Sequence, residues 1–588
     1  MANATTPLLA DDRRDGDASS NTLSDPEEDI LRGQSRATQA GRSWPSRLRE
    51  SLLFAWALLA TAGVLVLAVW ASHQQQTSFD KPAGKRNLIF MVSDGMGPAS
   101  LSLTRSFRQY TEGLEHDDTL TLDKHFWGSS RTRSSSSLVT DSAAGATAFS
   151  CGMKSYNGAI SMLPDSSLCG TVLEAAKKAG YKTGLVVTTD ITDATPACFA
   201  SHVDMRYQND DIAVQEIGNG PLGRVVDLMF GGGRCRFLPN GTEGGCRADD
   251  INVVDMAKKD YGWNYISDRA AFDEFWEGEK EVPLPILGLF ADTDIPFELD
   301  RRNQNDIYPS LSEMAKTALR ALEKAAESSD QGFFLMIEGS RIDHAGHGND
   351  PAAQVREVLE YDRAFKAVIE FLEESHTPGV LVATSDHETG GLSVARQVNA
   401  NYPQYLWYPA VLANASSSSE YLAHRLHAHI AKTTNDSIDE LKKFINEELV
   451  IPGLGIHDAS EEELSGLASK PEQAQYLFAH MISIRAQIGW STHGHSAVDV
   501  NIYSSGGPGA EALRGNVENT DVGKYLREYL NVDVEAVTKE LNEKMASRRR
   551  INVASQEATI DAADRISADF EDHWVAHEME SQRMGLDA

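Results

Sequence analysis

Four apolar runs in this 588-residue chain end the same way, on an acidic residue, and that repetition restricts the possible folds more than any other feature. Asn87-Leu88-Ile89-Phe90-Met91-Val92 leads to Asp94, and Lys182-Thr183-Gly184-Leu185-Val186-Val187 leads towards Asp193. Phe333-Phe334-Leu335-Met336-Ile337 leads to Glu338, and Val380-Leu381-Val382-Ala383-Thr384 leads to Asp386 and His387. Short apolar runs of this kind read as strands. Helical periodicity lies between them. Residues 310–328 place Leu311, Met314, Ala315, Ala318, Leu319 and Leu322 on one face. Residues 352–375 do the same through Val355, Val358, Leu359, Phe365, Val368, Ile369 and Leu372, with Pro351 suited to the first turn. Strands alternating with helices predict an α/β fold, a mostly parallel central sheet with helices on both faces. In such a sheet the carboxyl ends of the strands line the ligand crevice, so four carboxylates would gather cations in one cleft.

Beside them stands Asp141-Ser142-Ala143. Small residues after Ser142 allow a closely packed helix to begin there. The free N–H groups and positive dipole end of a helix N-terminus favour bound anions. A plain N-cap serine is the alternative reading. A second segment, Glu338-Gly339-Ser340-Arg341-Ile342-Asp343-His344-Ala345-Gly346-His347, sets Asp343 and His347 four apart just after a strand, where both can reach one cation such as zinc. Alone this spacing is weak; its place beside Glu338 and ahead of Asp386-His387-Glu388 gives it weight.

The remaining chain divides by composition. Residues 1–51 are rich in Ser, Asp, Arg and Gly without apolar periodicity and read as a disordered, cytosolic tail. Within it, Leu8-Leu9 ahead of Asp11 and Asp12 resembles a dileucine sorting signal lacking the usual upstream acid. Residues 52–71 are apolar and uncharged, about the length that spans a bilayer, with Trp70 at the expected interface. No Ala-x-Ala site follows, so an uncleaved signal anchor is expected in place of a cleaved leader. Arg36, Arg42, Arg47 and Arg49 precede the span, and sequons at Asn240, Asn414 and Asn435 follow it, which predicts a single-pass type II protein with its bulk in a lumen. Residues 395–488 break the strand–helix rhythm and read as an insertion within a catalytic region of residues 85–540. Residues 546–588, after Arg548-Arg549-Arg550, form a polar, acidic tail that reads as appended or processed.

The chain carries 54 basic and 86 acidic residues, a formal charge of −32, which argues against general nucleic-acid binding. Of five cysteines, Cys235 with Cys246 and Cys151 with Cys169 are candidate pairs, leaving Cys198 unpaired in an apolar context.

Six motifs occur in the order found in one family. They are Val-Ser-Asp-Gly-Met-Gly at 92–97, Thr-Asp-Ser-Ala-Ala at 140–144, Asp-Ala-Thr-Pro-Ala at 193–197, the Glu338–His347 segment, Thr-Ser-Asp-His-Glu-Thr-Gly-Gly at 384–391 and Thr-His-Gly-His at 492–495. Over residues 85–540 the chain resembles the alkaline phosphatases, and with its anchor it is most similar to their membrane-bound vacuolar members in fungi. The resemblance implies a homodimer, located here on the vacuolar membrane with a lumenal catalytic domain. It implies a phosphomonoester hydrolase of broad range, acting on small phosphomonoesters and phosphoproteins through a phosphoserine at a site with two Zn2+ and one Mg2+. Ser142 would be the nucleophile and Arg206 would grip the phosphate. Asp343, His347 and His495 would hold one zinc; Asp94, Asp386 and His387 the other. Magnesium would sit among Asp94, Thr195 and Glu338, with Asp193 ordering its waters. His493 competes with His495, and the following Ser-Ala-Val-Asp-Val favours His495.

The chain departs from the family at one point. Bacterial members commonly have Lys where this chain has His344. Animal members have His there but pair it with a His where this chain has Asp193. Asp193 and Thr195 favour magnesium, and the mixed pairing leaves third-site affinity and the alkalinity of the optimum open. Two rival readings are a related metal-dependent sulfatase or phosphodiesterase and a membrane-anchored binding protein on an inactive scaffold. Asp-Ser-Ala-Ala does not resemble a sulfatase motif, and the complete ligand set argues against the second.

Overall fold

A computed structural model describes residues 44–77, 84–402, 404–433 and 437–556. Most of the expected N-terminal tail, the Leu8-Leu9 pair, the Asn435 sequon and the polar tail beyond residue 556 lie outside the described residues. The chain divides into two units, residues 1–78 and 79–588. The first is described by one helix, α1 (Trp44–Thr77). Its apolar stretch, Leu48–Leu67, has a mean hydropathy of 1.9 and is nowhere buried within the structure. This stretch begins four residues before the span read from the sequence. The helix is continuous through Arg49 and Glu50, so the backbone does not mark where the apolar part starts; composition does.

The second unit is built on strands β1 (Asn87–Val92), β2 (Phe126–Arg131), β3 (Lys182–Asp190), β4 (Leu228–Gly232), β5 (Asn264–Ile266), β6 (Ile286–Leu289), β7 (Phe333–Glu338) and β8 (Gly379–Thr384). Short pieces β9 (Glu388–Thr389), β10 (Ser393–Val394), β11 (Ile488–Gly489) and β12 (His495–Ser496) follow, then β13 (Val500–Ser504) and β14 (Gly515–Glu518). Ten strands form one sheet in the order β14-β2-β13-β8-β1-β7-β3-β4-β6-β5. All its pairings are parallel except those of β13 with β2 and β8. The four strands read from the sequence are the adjacent central ones, β8-β1-β7-β3.

Each of these strands holds an unbroken apolar run because both faces of the sheet are covered. Leu88, Phe90 and Val92 enter one core with Phe334, Met336, Val380 and Val382. Ile89 and Met91 enter the other with Phe333, Leu335, Ile337, Leu381 and Ala383. The period-2 alternation of a strand sorts neighbouring residues into opposite cores.

The helices that position the site are α2 (Pro98–Glu112), α3 (Ser142–Cys151), α4 (Ala194–Ala200), α5 (Arg341–His347) and α6 (Pro351–Glu374). Asp350 caps α6 through Ala352 N and Ala353 N, with Pro351 in its first turn as expected. The other periodic segment is helix Leu311–Ala326, started by the Ser310/Glu313 capping box. Between β10 and β11, which pair with each other, the chain adds helices including Pro409–Asn414, Ser419–Lys432 and Ala474–Ala486. No strand of the ten-stranded sheet falls in this stretch. Its own core takes in Leu103 and Phe107 of α2 and Val355 of α6. Cys151–Cys169 and Cys235–Cys246 are disulfides, and Cys198 is free and buried. Helix Val534–Gln556 runs through Arg548-Arg549-Arg550, where the sequence reading placed a polar tail.

Candidate active site

Because β8, β1, β7 and β3 lie side by side in parallel, their carboxyl ends face one cleft. Asp94 is two residues past β1, Glu338 is the last residue of β7, and Asp386 and His387 follow β8. Asp193 caps α4 just beyond β3. The packing here is close enough to demand glycine twice. A Cβ on Gly95, whose φ is +74°, would lie 2.6 Å from Asp343 Cα. A Cβ on Gly145 would lie 2.8 Å from Asp386 Cβ, so α3 can approach the β8 loop only without a side chain there.

Ser142 is the first residue of α3 and is 3% exposed. Asp141 caps this helix: its Oδ1 accepts from Ala144 N at 3.0 Å and its Oδ2 from Gly158 N at 2.8 Å. Ser142 Oγ lies 3.1 Å from His387 Nε2. The same nitrogen is 3.2 Å from Asp386 Oδ2 and 3.6 Å from Asp94 Oδ1. Asp94, Asp386 and His387 thus present donors within 4.8 Å of one another.

Beside this group, His347 Nε2 lies 3.2 Å from Asp343 Oδ2 and 3.1 Å from His495 Nε2. His495 Nε2 is 3.7 Å from Asp343 Oδ1. The His387 and His495 rings stack at 3.5 Å, and Asp343, His387 and His495 also fall within 4.8 Å of one another, so His387 stands between the two groups. Antiparallel pairing of β12 with β9 brings His495 opposite Thr389. His495 Nδ1 is 2.8 Å from Thr140 O, a geometry in which Nδ1–H donates and Nε2 keeps its lone pair. His493 faces elsewhere, with Nδ1 2.8 Å from His347 O and its ring against Tyr476.

The third group is more spread. Glu338 Oε2 accepts from Ser340 Oγ at 2.6 Å. Thr195 is buried with its hydroxyl near Glu338, short of a hydrogen bond. Arg206 Nη2 donates to Asp193 Oδ1 at 2.8 Å, and Nη1 lies 3.6 Å from Asp141 Oδ2. His344 takes Asp294 as its acidic neighbour, 3.1 Å from Nδ1 to Oδ2.

Electrostatics show what the residues lack. Burial, then the charges of Asp386, Asp343, Glu338 and Asp193, push Asp94 well above the usual carboxylate range. Burial likewise raises Glu338 to about 8. Burial works against ionised Asp343 and Asp386 too, yet neighbouring histidines, His347 for the first and His387 for the second, hold both low. Burial and the nearby His387 press His495 down to about 3, which keeps it neutral, the form that ligates metals. Asp94 Oδ1 and Asp386 Oδ2 are buried without hydrogen-bond partners. Such orphaned oxygens are costly unless a cation completes them. The donor set, carboxylates and imidazoles, suits zinc in the two tight groups and a harder ion beside Glu338 and Thr195.

Several contributors escaped the sequence reading. Thr389 donates to Asp343 Oδ1 and lies 3.2 Å from His387 Nδ1, bridging the two groups. Its signal was present in the 384–391 motif. Asn157 accepts from Asp141 N at 3.4 Å and donates to Val139 O at 3.2 Å, steadying the turn before Ser142. Neither Asn157 nor Asp294 carried a local signal.

Comparison with known proteins agrees with this geometry. The sequence model of the family described as Alkaline phosphatase matches residues 85–532. The chain is 55% identical over 472 residues to the repressible alkaline phosphatase of Saccharomyces cerevisiae, covering 77% of this chain and 83% of that one. It is 46% identical over 517 residues to an alkaline phosphatase of Schizosaccharomyces pombe, covering 87% and 93%. Among solved structures, the cold-active alkaline phosphatase of a Shewanella species superposes with a TM-score of 0.61 at 30% identity, over 76% of this chain and 99% of that one.

Proposed function

Since the chain belongs to the alkaline phosphatase family and its cleft holds a serine among carboxylates and histidines, we propose that it hydrolyses phosphate monoesters through a phosphoserine on Ser142. The observation that carries this reading is Ser142 Oγ, at the N-terminus of α3, 3.1 Å from His387 Nε2 and beside two groups of metal-type donors.

Asp343, His347 and His495 would hold one zinc, Asp94, Asp386 and His387 the other, and Asp94, Thr195 and Glu338 a magnesium with Asp193 ordering its waters. When bound, these cations supply positive charge that acidifies a hydroxyl and steadies a leaving oxygen. Ser142 Oγ loses its proton to solvent and attacks phosphorus in line; the new O–P bond forms as the bond to the leaving oxygen breaks, and that oxygen takes up a proton from solvent to depart as the alcohol. Free N–H groups in the first turn of α3 face the anion. Arg206, turned into the cleft by Asp193 and Asp141, takes two phosphoryl oxygens in its forked geometry. Water then attacks phosphorus from the opposite side, releasing phosphate and restoring the serine. Nothing in this arrangement reads the alcohol, so small monoesters and phosphoproteins are both expected substrates.

We also propose that α1 anchors the protein with its N-terminus in the cytosol and its catalytic unit in the vacuolar lumen, as a homodimer. Residues 52–71, apolar and without charge, support the anchor. Protease protection in sealed vesicles checks the topology.

Ser142→Ala tests the chemistry. It should keep the circular dichroism spectrum and bound metal while turnover of p-nitrophenyl phosphate falls on the order of 10³-fold or more. Near-parental turnover sinks the nucleophile assignment.

A further inference from the structure

The chain is strongly acidic overall, yet one cavity away from the cleft gathers arginines. It has a volume of about 280 Å3 and lies between α2, α6, the end of helix Glu298–Arg301 and helix Pro409–Asn414. Arg302, Arg356 and Arg363 line it, with Phe107 and Leu359 forming an apolar wall. Arg356 is 7% exposed. Its Nη1 and Nη2 donate to Ala352 O at 3.0 Å and Leu412 O at 2.9 Å, and its guanidinium lies 4.6 Å from the Phe107 ring centre. Among the described residues it has no carboxylate partner. Arg302, which donates from Nε to Leu299 O at 3.1 Å, has none either.

The acids nearby are already engaged. Glu298, the one acid in the wall, accepts from Arg301 Nε and Nη2. Glu360 accepts from Arg363 Nη1 at 2.8 Å. Two positive charges are therefore left facing one small space, one of them deeply buried. Taking a cation out of water is costly unless an anion meets it. Burial, and then the charge of Arg302, push the Arg356 guanidinium down to about 10 against the smaller raising charge of Asp350, whose oxygens accept from Ala352 N, Ala353 N and Ser419 N, so the two arginines work against each other as they stand.

We propose that this cavity is a second anion site, which takes a small organic phosphate. A phosphate dianion balances the two unpaired guanidiniums, whereas a carboxylate balances one, and the guanidinium fork matches phosphoryl oxygens. The volume exceeds that of a bare phosphate, and Phe107 and Leu359 offer contact to an organic group. The site binds and does not catalyse: its hydroxyl, Thr111 Oγ1, is turned to Phe107 O and Arg108 O.

The test is calorimetric titration of the metal-loaded full chain with phenylphosphonate, which cannot be hydrolysed as an ester, and with inorganic phosphate and benzoate. Two phenylphosphonate sites per chain are expected. Arg206→Ala should weaken the cleft site at least tenfold and leave the second. Arg302→Glu, and Arg302→Glu with Arg363→Glu, should weaken the second at least tenfold while kcat/KM for p-nitrophenyl phosphate stays unchanged. Both side chains are exposed, so these variants decide the matter even if Arg356→Gln fails to fold. A single site in the parent, or a second site indifferent to both glutamate variants, overturns the proposal. Benzoate binding more tightly than phenylphosphonate there overturns the phosphate class, and inorganic phosphate matching phenylphosphonate overturns the organic group.

Discussion

The acidic cleft and the arginine cavity pose one physical problem with opposite sign. In the cleft, Asp94 Oδ1 and Asp386 Oδ2 are buried without hydrogen-bond partners, amid other carboxylates and with His387 alone as the nearby imidazole of both. In the cavity, Arg356 is buried with no carboxylate in ion-pair contact among the described residues, beside an arginine in the same position. Glu216 supplies the contrast. It is 0% exposed, both its oxygens lack partners, and burial alone holds its carboxyl well above the ordinary value. Among the described residues no second charge shifts it, and burial alone favours its protonated form. An unsatisfied buried group signals a ligand where several converge on shared space; a solitary one adjusts its ionisation instead.

The largest test of this contrast is removal of the cations assigned to the cleft. Exhaustive chelation should cut phosphomonoester hydrolysis on the order of 10³-fold or more and lower Tm, because converging carboxylates then repel without compensation. Readdition of zinc and magnesium should restore both. Activity and Tm that survive chelation would place the cleft with Glu216, as a set of protonated acids.

Arg206→Ala comes next. It removes the forked partner of the phosphate and should raise KM and the inhibition constant of phosphate by about 10- to 100-fold. Lysine at this position should recover only part, having no fork. Steady-state kinetics with phosphate inhibition read both; unchanged phosphate inhibition removes Arg206 from the site.

Asp193→His sharpens the third group. It exchanges a carboxylate for a nitrogen that suits zinc better than magnesium, and it takes from Arg206 its 2.8 Å partner. Elemental analysis should show more zinc per chain. Activity without added magnesium should drop roughly 2- to 10-fold and recover slowly when magnesium is supplied. Unchanged metal content and magnesium response would separate Asp193, and Thr195 with it, from this group.

The smallest effect belongs to Glu216→Gln. A carboxyl raised in the folded state lends stability that is complete below its unfolded value and is lost as pH rises through the folded one. The variant should therefore match the parent near about pH 4 and exceed it at about pH 8, by roughly 2–4 °C in Tm. Thermal melts at the two values decide it; equal Tm at both would show that Glu216 is ionised and paired.

The chain spells out its own strands. Each central strand is a contiguous apolar run because both its faces are covered, and the residue that closes the run stands at the cleft by virtue of the direction of the strand. Asp94, Glu338, Asp386 and His387 were legible for that reason, as were the helix over 310–328 and the first turn at Pro351. These are local consequences of periodicity, and local consequences leave a mark in local sequence. The order β8-β1-β7-β3 left no such mark, because any parallel strand can pair with any other of similar length. The meeting of Arg206 with Asp193 and Asp141, the choice of Asp294 by His344, and the stacking of His495 on His387 all depend on that order. So does the arginine cavity, whose walls come from four segments between Phe107 and Ala413 with no common motif. Proximity across a sheet is settled by which surfaces cover one another once the cores close, and apolar burial is too unspecific for a single strand to announce its neighbour.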